Sequence, residues 1–202
     1  PLARMADFCL PLCAGPELSV AATKSFIASL AALIHMVAAW TEDAELLSAL
    51  VEAPSLLERS WQLDWSAASG RLFDVEHLFV MARGIGLGIA LEAALKCKET
   101  SGLHAEGFSS AEVQHGPQAL LGAGFPALLL SQNDETLSGL TAVAHDLVSR
   151  GVPVMIAGAE VPGACTLPFI PCHPVIEPML LIQSFYKMVN TLSVSRGLNP
   201  DQ

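Results

Sequence analysis

Apolar residues along the chain fall into two kinds of pattern. Up to about residue 70 they recur mostly at helical spacing. From residue 71 onward, short continuous apolar runs alternate with helical ones. Residues 7–12 read as a short strand ending at Cys13-Ala14-Gly15-Pro16. Val20, Ile27, Leu30, Ala31, Ile34 and Val37 then follow at helical spacing, with Pro16 and Ser19 as start signals. Residues 42–51 and 54–69 read as two more helices, Pro54 sitting in a first turn and Gly70 ending the block. Residues 77–82, 126–131, 152–157 and 166–170 are the apolar runs of buried strands. Between and after them, residues 89–101, 136–150 and 176–195 read as helices. Strands alternating with helices imply an α/β fold, a three-layer parallel sheet flanked by helices. Such sheets take ligands beyond the carboxyl ends of their strands, here residues 83–88, 131–136 and 158–160.

Composition narrows the partners. The 202 residues are 52% apolar and 15% charged, enough for a sizeable core and too apolar for a disordered chain. The net charge of −10, with no run of Lys and Arg, argues against nucleic acid. A small phosphorylated ligand stays compatible, because a few backbone N–H groups can hold phosphate whatever the overall charge. Five cysteines without CxxC spacing predict free thiols in a reducing cytoplasm rather than a zinc ribbon or a disulfide framework. The apolar stretch at residues 20–40 carries Thr23, Lys24, Ser29 and His35, so it reads as a core helix and not a membrane span. Pro1 in place of an initiator Met predicts a fragment or a processed product.

Four segments carry candidate chemistry. Gly84-x-Gly86-x-Gly88 joins a strand to a helix but lacks the third Gly of a dinucleotide fingerprint, since Ile89 stands there. It reads as a tight turn, or as a turn that lets backbone approach a small ligand. Glu92, Lys96 and Glu99 share one stripe of an unusually apolar helix whose only other charge is Lys98, which suits a site better than a solvated face. His104-Ala105-Glu106 and Glu112-x-x-His115-Gly116-Pro117 offer an imidazole for acid–base work or, alternatively, a loop histidine that only hydrogen-bonds. Neither segment fixes three or four converging metal ligands, so no metal is expected there. In residues 131–136 the hydroxyls could meet a phosphate, yet Asp134 and Glu135 would repel it, and an ordinary helix-capping turn is the stronger reading.

Taken together these segments resemble one family. The run from Ala14 to Lys24 resembles the AGPE…VA-T-K segment of sugar isomerase (SIS) proteins. The run from Ala90 to Glu99 resembles their ALEgALKlKE helix, and His104 to Pro117 their HAE…E-x-x-HGP stretch. Asn199-Pro200-Asp201-Gln202 resembles the start of their carboxyl tail. The resemblance covers residues 14–202. It is strongest to the branch acting on phosphorylated amino sugars, which includes the isomerase half of glucosamine-6-phosphate synthase and the glutaminase-free glucosamine-6-phosphate deaminases. It implies a flavodoxin-like SIS fold, with residues 1–40 the end of a first SIS domain, 41–70 a helical connector and 71–202 a second SIS domain.

The resemblance also implies roles. Glu99 matches the catalytic base that moves a proton between C1 and C2. Lys96 would stabilise the oxyanion, with Glu92 orienting it. His115 would open the sugar ring from the neighbouring subunit of a homodimer. Glu17, Val20 and Gly84 fall at substrate-binding positions, and the implied chemistry requires no cofactor and no metal. Much of the first domain and the tail lysine of relatives are absent, so this chain alone is expected to be inactive. The leading expectation is a cytoplasmic deaminase-isomerase converting glucosamine 6-phosphate to fructose 6-phosphate and ammonia. The alternatives are the synthetic direction, with ammonia from a glutaminase domain, and a non-catalytic sugar-phosphate sensor. Glu99, Lys96 and His115 together argue against the sensor, since binding alone needs no base and no proton shuttle.

Overall fold

Residues 77–82 alternate as a strand covered on both faces must. Leu78, Val80 and Ala82 pack on one side, Phe79 and Met81 on the other, and all five are buried. The computed structural model describes residues 2–201. In chain order its helices and strands are α1 (Lys24–Thr41), α2 (Ala44–Trp61), α3 (Ser66–Leu72), β1 (His77–Ala82), α4 (Leu87–Ser101), β2 (His104–Ser109), the one-turn α5 (Ser110–Val113), β3 (Ala127–Leu130), α6 (Leu137–Ser149), β4 (Val154–Ala157), β5 (Cys165–Leu167) and α7 (Glu177–Ser195). The five strands form one parallel sheet in the order β2-β1-β3-β4-β5, the flavodoxin-like arrangement.

Two cores sandwich the sheet. On one face Leu78, Val80, Leu128, Leu130 and Met155 lie under α3, α4 and α7, with Cys97, Ile182 and Phe185 among the fully buried groups. On the other, Phe79, Met81, Leu129 and Ile156 meet Leu140, Val143, Ala144 and Leu147 of α6. Helix α2 packs across the start of α7 through Ala53, Leu56, Ile176 and Leu180. The edge strand β2 escapes the apolar pattern because Ala105 is its only fully buried residue. Gly107 lets α4 rest directly on it, since a Cβ there would stand 2.9 Å from the Leu91 Cα.

The structure corrects several expectations in the amino-terminal part. Residues 7–12 form no strand and are exposed. Every strand of the sheet lies beyond residue 76, and a lone extended segment has no neighbour for its N–H and C=O groups. Helix α1 begins at Lys24, later than Pro16 and Ser19 predict. It packs Phe26, Ile27 and Leu30 against the main core but has only Ala38 buried, so it is not the core helix expected. By length and composition it could cross a membrane, the one helix among the described residues that could. Helix α2 runs unbroken through Pro54. The proline forfeits one helical N–H, and burial of Ala53, Leu56 and Ser60 holds the helix together. Gly70 does not end α3, which continues to Leu72. There the Arg196 guanidinium, 124 residues away, donates to the Leu72 carbonyl at 2.6 Å and takes up one of the free carbonyls of the last turn.

Candidate active site

Helix α4 turns its charged stripe inward, against α7. Lys96 is 4% exposed, and its Nζ lies 2.7 Å from Glu99 Oε2 and 3.3 Å from Glu92 Oε1. Glu92 is buried too, and its Oε1 accepts a 2.8 Å hydrogen bond from the Tyr186 hydroxyl on α7. Four polar groups thus form one chain, Tyr186–Glu92–Lys96–Glu99. Only the last reaches appreciably into solvent, its side chain 29% exposed. A buried ammonium is tolerable because two carboxylates face it. Burial, and then the hydrogen bond to Glu92, pushes the Tyr186 phenol far above its ordinary value, so it is a donor and never an anion at neutral pH. Sequence reasoning missed Tyr186, the chain's only tyrosine, because 94 positions separate it from Glu92.

Beside this chain lies a cleft of about 610 Å³. Lys96 and Thr100 of α4 form one wall and Gln183, Tyr186, Val189 and Asn190 of α7 another. The beginning of α1 contributes Thr23, Lys24 and Ile27, and the tail contributes Pro200 and Asp201. The Ser19 hydroxyl donates to the Asp201 carboxylate at 2.6 Å and ties the two ends of the chain together at the rim. The arrangement offers a cation at the wall of a largely apolar cleft, with the Glu99 carboxylate on the same ammonium, Glu99 itself standing outside the cleft-lining groups. That pairing suits proton transfer next to a developing negative charge.

The remaining candidates scatter. Glu17 caps α1: its carboxylate accepts from the Ser25 N–H at 2.9 Å and from the Ser25 hydroxyl. The hydroxyl hydrogen bond is the main reason its carboxyl sits below the ordinary range. Val20 is 74% exposed, while its neighbours Ser19 and Ala21 line the cleft. His115 is exposed on the turn after α5 and is not among the cleft-lining groups. Among the described residues no three His, Cys, Asp or Glu side chains converge as a metal site requires. Burial pushes the Cys97 thiol up to about 12 and Cys172 to about 11, which removes both as nucleophiles near neutrality. Gln202 lies outside the described residues.

Gly84 borders a different place, the crevice between the carboxyl ends of β1 and β3, where this topology ordinarily binds ligands. That crevice is filled from within. Gln132 Nε2 donates to the Arg83 carbonyl at 2.9 Å, and a Cβ at Gly86 would collide with the Gln132 amide oxygen. Asp134 accepts from the Thr136 N–H and hydroxyl. These bonds and one from Gln132 outweigh its burial and hold its carboxyl below the ordinary range. The buried Glu177 carboxylate accepts from the Asn133 N–H at 2.6 Å and the Cys172 N–H at 3.1 Å. Lys96, nine residues into α4 from Leu87, lies about 14 Å along the helix from this edge. Lys96 therefore faces the α1–α4–α7 cleft, with Glu92 and Glu99 on its ammonium, and not the carboxyl edge of its own sheet.

Known proteins share this fold. The family model for the SIS domain matches residues 71–159. A glutamine–fructose-6-phosphate aminotransferase (isomerizing) of Legionella pneumophila strain Lens is 32% identical over 211 aligned positions, covering all of this chain and 35% of the relative. The chain thus spans about a third of the length of the curated relatives it matches. A crystal structure from Silicibacter pomeroyi DSS-3, assigned to the phosphosugar isomerases, superposes with a TM-score of 0.94 at 38% identity. The alignment covers 99% of this chain and 62% of that one. The C-terminal domain of glucosamine-fructose-6-phosphate aminotransferase from Francisella tularensis gives 0.83 at 26% identity, covering 100% and 61%.

Proposed function

This chain belongs to the SIS-domain family, and from that premise we propose that it is the isomerase part of an enzyme making glucosamine 6-phosphate from fructose 6-phosphate and ammonia. The observation that carries the reading is the Lys96–Glu99 pair, 2.7 Å apart, with Lys96 in the wall of the cleft. With ammonia installed as an imine at C2, Glu99 takes a proton from C1 and returns it to C2. The C1 hydroxyl loses its proton to the nitrogen, so C1 becomes the aldehyde and C2 carries the amine. Lys96 offsets the negative charge on the C1 oxygen as that proton leaves. The relative that aligns with the whole chain at 32% identity bears the synthetic name, which favours this direction over the ammonia-releasing one expected from the sequence.

The same reading supplies His115 from a partner subunit of a homodimer. Its exposure on a turn leaves it free to meet another subunit, which supports that role. The unpaired cysteines fit a cytoplasmic setting. The test is an assay of the full-length gene product in both directions: fructose 6-phosphate with glutamine or ammonium, and glucosamine 6-phosphate alone. Net amination of fructose 6-phosphate supports the proposal. Ammonia release with no synthesis would replace it with the deaminase, and binding without turnover would replace it with the sensor.

A further inference from the structure

The proposed chemistry uses Lys96 and Glu99 and leaves the Tyr186 hydroxyl unexplained. Space-filling alone needs no hydroxyl at that position, since Phe185 beside it is fully buried without one. We infer that Tyr186 is a positioning residue, which keeps the Lys96 ammonium turned toward Glu99 and the cleft by occupying Glu92. The inference rests on the isomerase reading of α4.

The distances carry the argument. A charge-assisted N–H···O bond typically spans about 2.7–2.9 Å. Lys96 meets that range with Glu99, at 2.7 Å, and falls outside it with Glu92, at 3.3 Å. Yet Glu92 is four residues away on the same helix and more deeply buried than Glu99, so it should be the stronger competitor for the ammonium. What differs is that Glu92 Oε1 already accepts from Tyr186 at 2.8 Å. The phenol comes from α7, across the helix seam, and its raised ionisation keeps it a donor throughout the physiological range. Without the hydroxyl, that buried carboxylate oxygen would keep only the long 3.3 Å contact to Lys96, a costly state that a closer donor relieves. That donor is Lys96, and moving to Glu92 draws it away from Glu99.

Steady-state kinetics on the full-length gene product test this with Tyr186→Phe, Glu92→Gln and the double variant. Tyr186→Phe is expected to lower kcat about ten- to a hundredfold while KM stays within about threefold. In the Glu92→Gln background no charged competitor remains, so removing the hydroxyl should cost less than about threefold. Wild-type kcat in Tyr186→Phe, or the same loss in both backgrounds, overturns the inference. A crystal structure of Tyr186→Phe gives an arm independent of activity and of the folding of Glu92→Gln. Lys96 Nζ closing on Glu92 and leaving Glu99 supports positioning, and an unmoved Nζ overturns it. If the wild-type protein does not isomerise but Nζ moves, the isomerase reading falls while the positioning stands.

Discussion

The seam between α4 and α7 and the stretch from residue 5 to the end of α1 are both rich in apolar residues, yet they end in opposite states. In the seam, apolar side chains are sealed so completely that Glu92, Lys96 and Tyr186 can be buried among them, each with a partner. In the amino-terminal stretch, Met5, Phe8, Leu10, Leu18 and Trp40 stand in solvent, Phe8 and Leu18 at 90% and 92% exposure. The difference lies in what the topology brings opposite each segment. Helix α4 has a sheet beneath it and α7 alongside, whereas α1 has helices against part of one face. Hydrophobicity measures what a segment would gain from cover; only topology supplies the cover.

The largest effect that would break this contrast is catalytic. Glu99→Gln keeps the size and much of the hydrogen bonding but cannot accept a carbon-bound proton. Isomerisation by the full-length gene product is expected to fall by about a hundred- to ten-thousandfold. Solvent deuterium should no longer enter C1 or C2 of the sugar. Retention of that exchange would show that the seam's charges serve stability and not chemistry. Next comes packing. Phe185→Ala empties a fully buried site on α7 and is expected to cost about 3–5 kcal/mol in denaturant unfolding. A loss under about 1 kcal/mol would mean the seam is looser than its burial implies.

A smaller effect concerns the cap on α1. Glu17→Ala should cost about 1 kcal/mol of helix stability, read as faster hydrogen exchange at the Ser25 amide. Because the Ser25 hydrogen bonds hold the folded carboxyl below its ordinary value, the cap contributes fully above the ordinary carboxylate range. It is lost as pH falls through the lowered value, so the wild-type Ser25 amide should exchange like the variant's only in acid. The smallest effect is expected at Trp40, where a side chain 83% exposed can be cut to Ala within about 0.5 kcal/mol. A loss above about 2 kcal/mol would show that the helix is covered in solution.

The same contrast explains what the sequence could disclose. Strands β1, β3 and β4 and helices α4, α6 and α7 announce themselves, because burial on two faces leaves continuous apolar runs and packed helices leave periodic ones. Strand β2 does not, since His104, Glu106 and Ser109 suit an exposed edge as well as a loop. Residues 7–12 mislead for the converse reason: their composition is strand-like, but pairing is a property of two segments. On the site, helical spacing alone places Glu92, Lys96 and Glu99 together. Nothing local could reveal that Tyr186 completes their hydrogen bonding, that Glu17 caps a helix, or that Gln132 fills the crevice beside Gly84 and Gly86.

The Glu177 carboxylate, seated on the Asn133 and Cys172 amides, has a consequence for competition. An anion tethered to the chain a few ångströms from its receptor acts at an effective concentration on the order of millimolar or more. A free phosphate ester arriving from solution at lower concentration must displace a ligand that never diffuses away. Titration with inorganic phosphate should therefore leave the Asn133 amide resonance in place until the phosphate reaches many millimolar. These two amides thus come with their anion already attached to the chain.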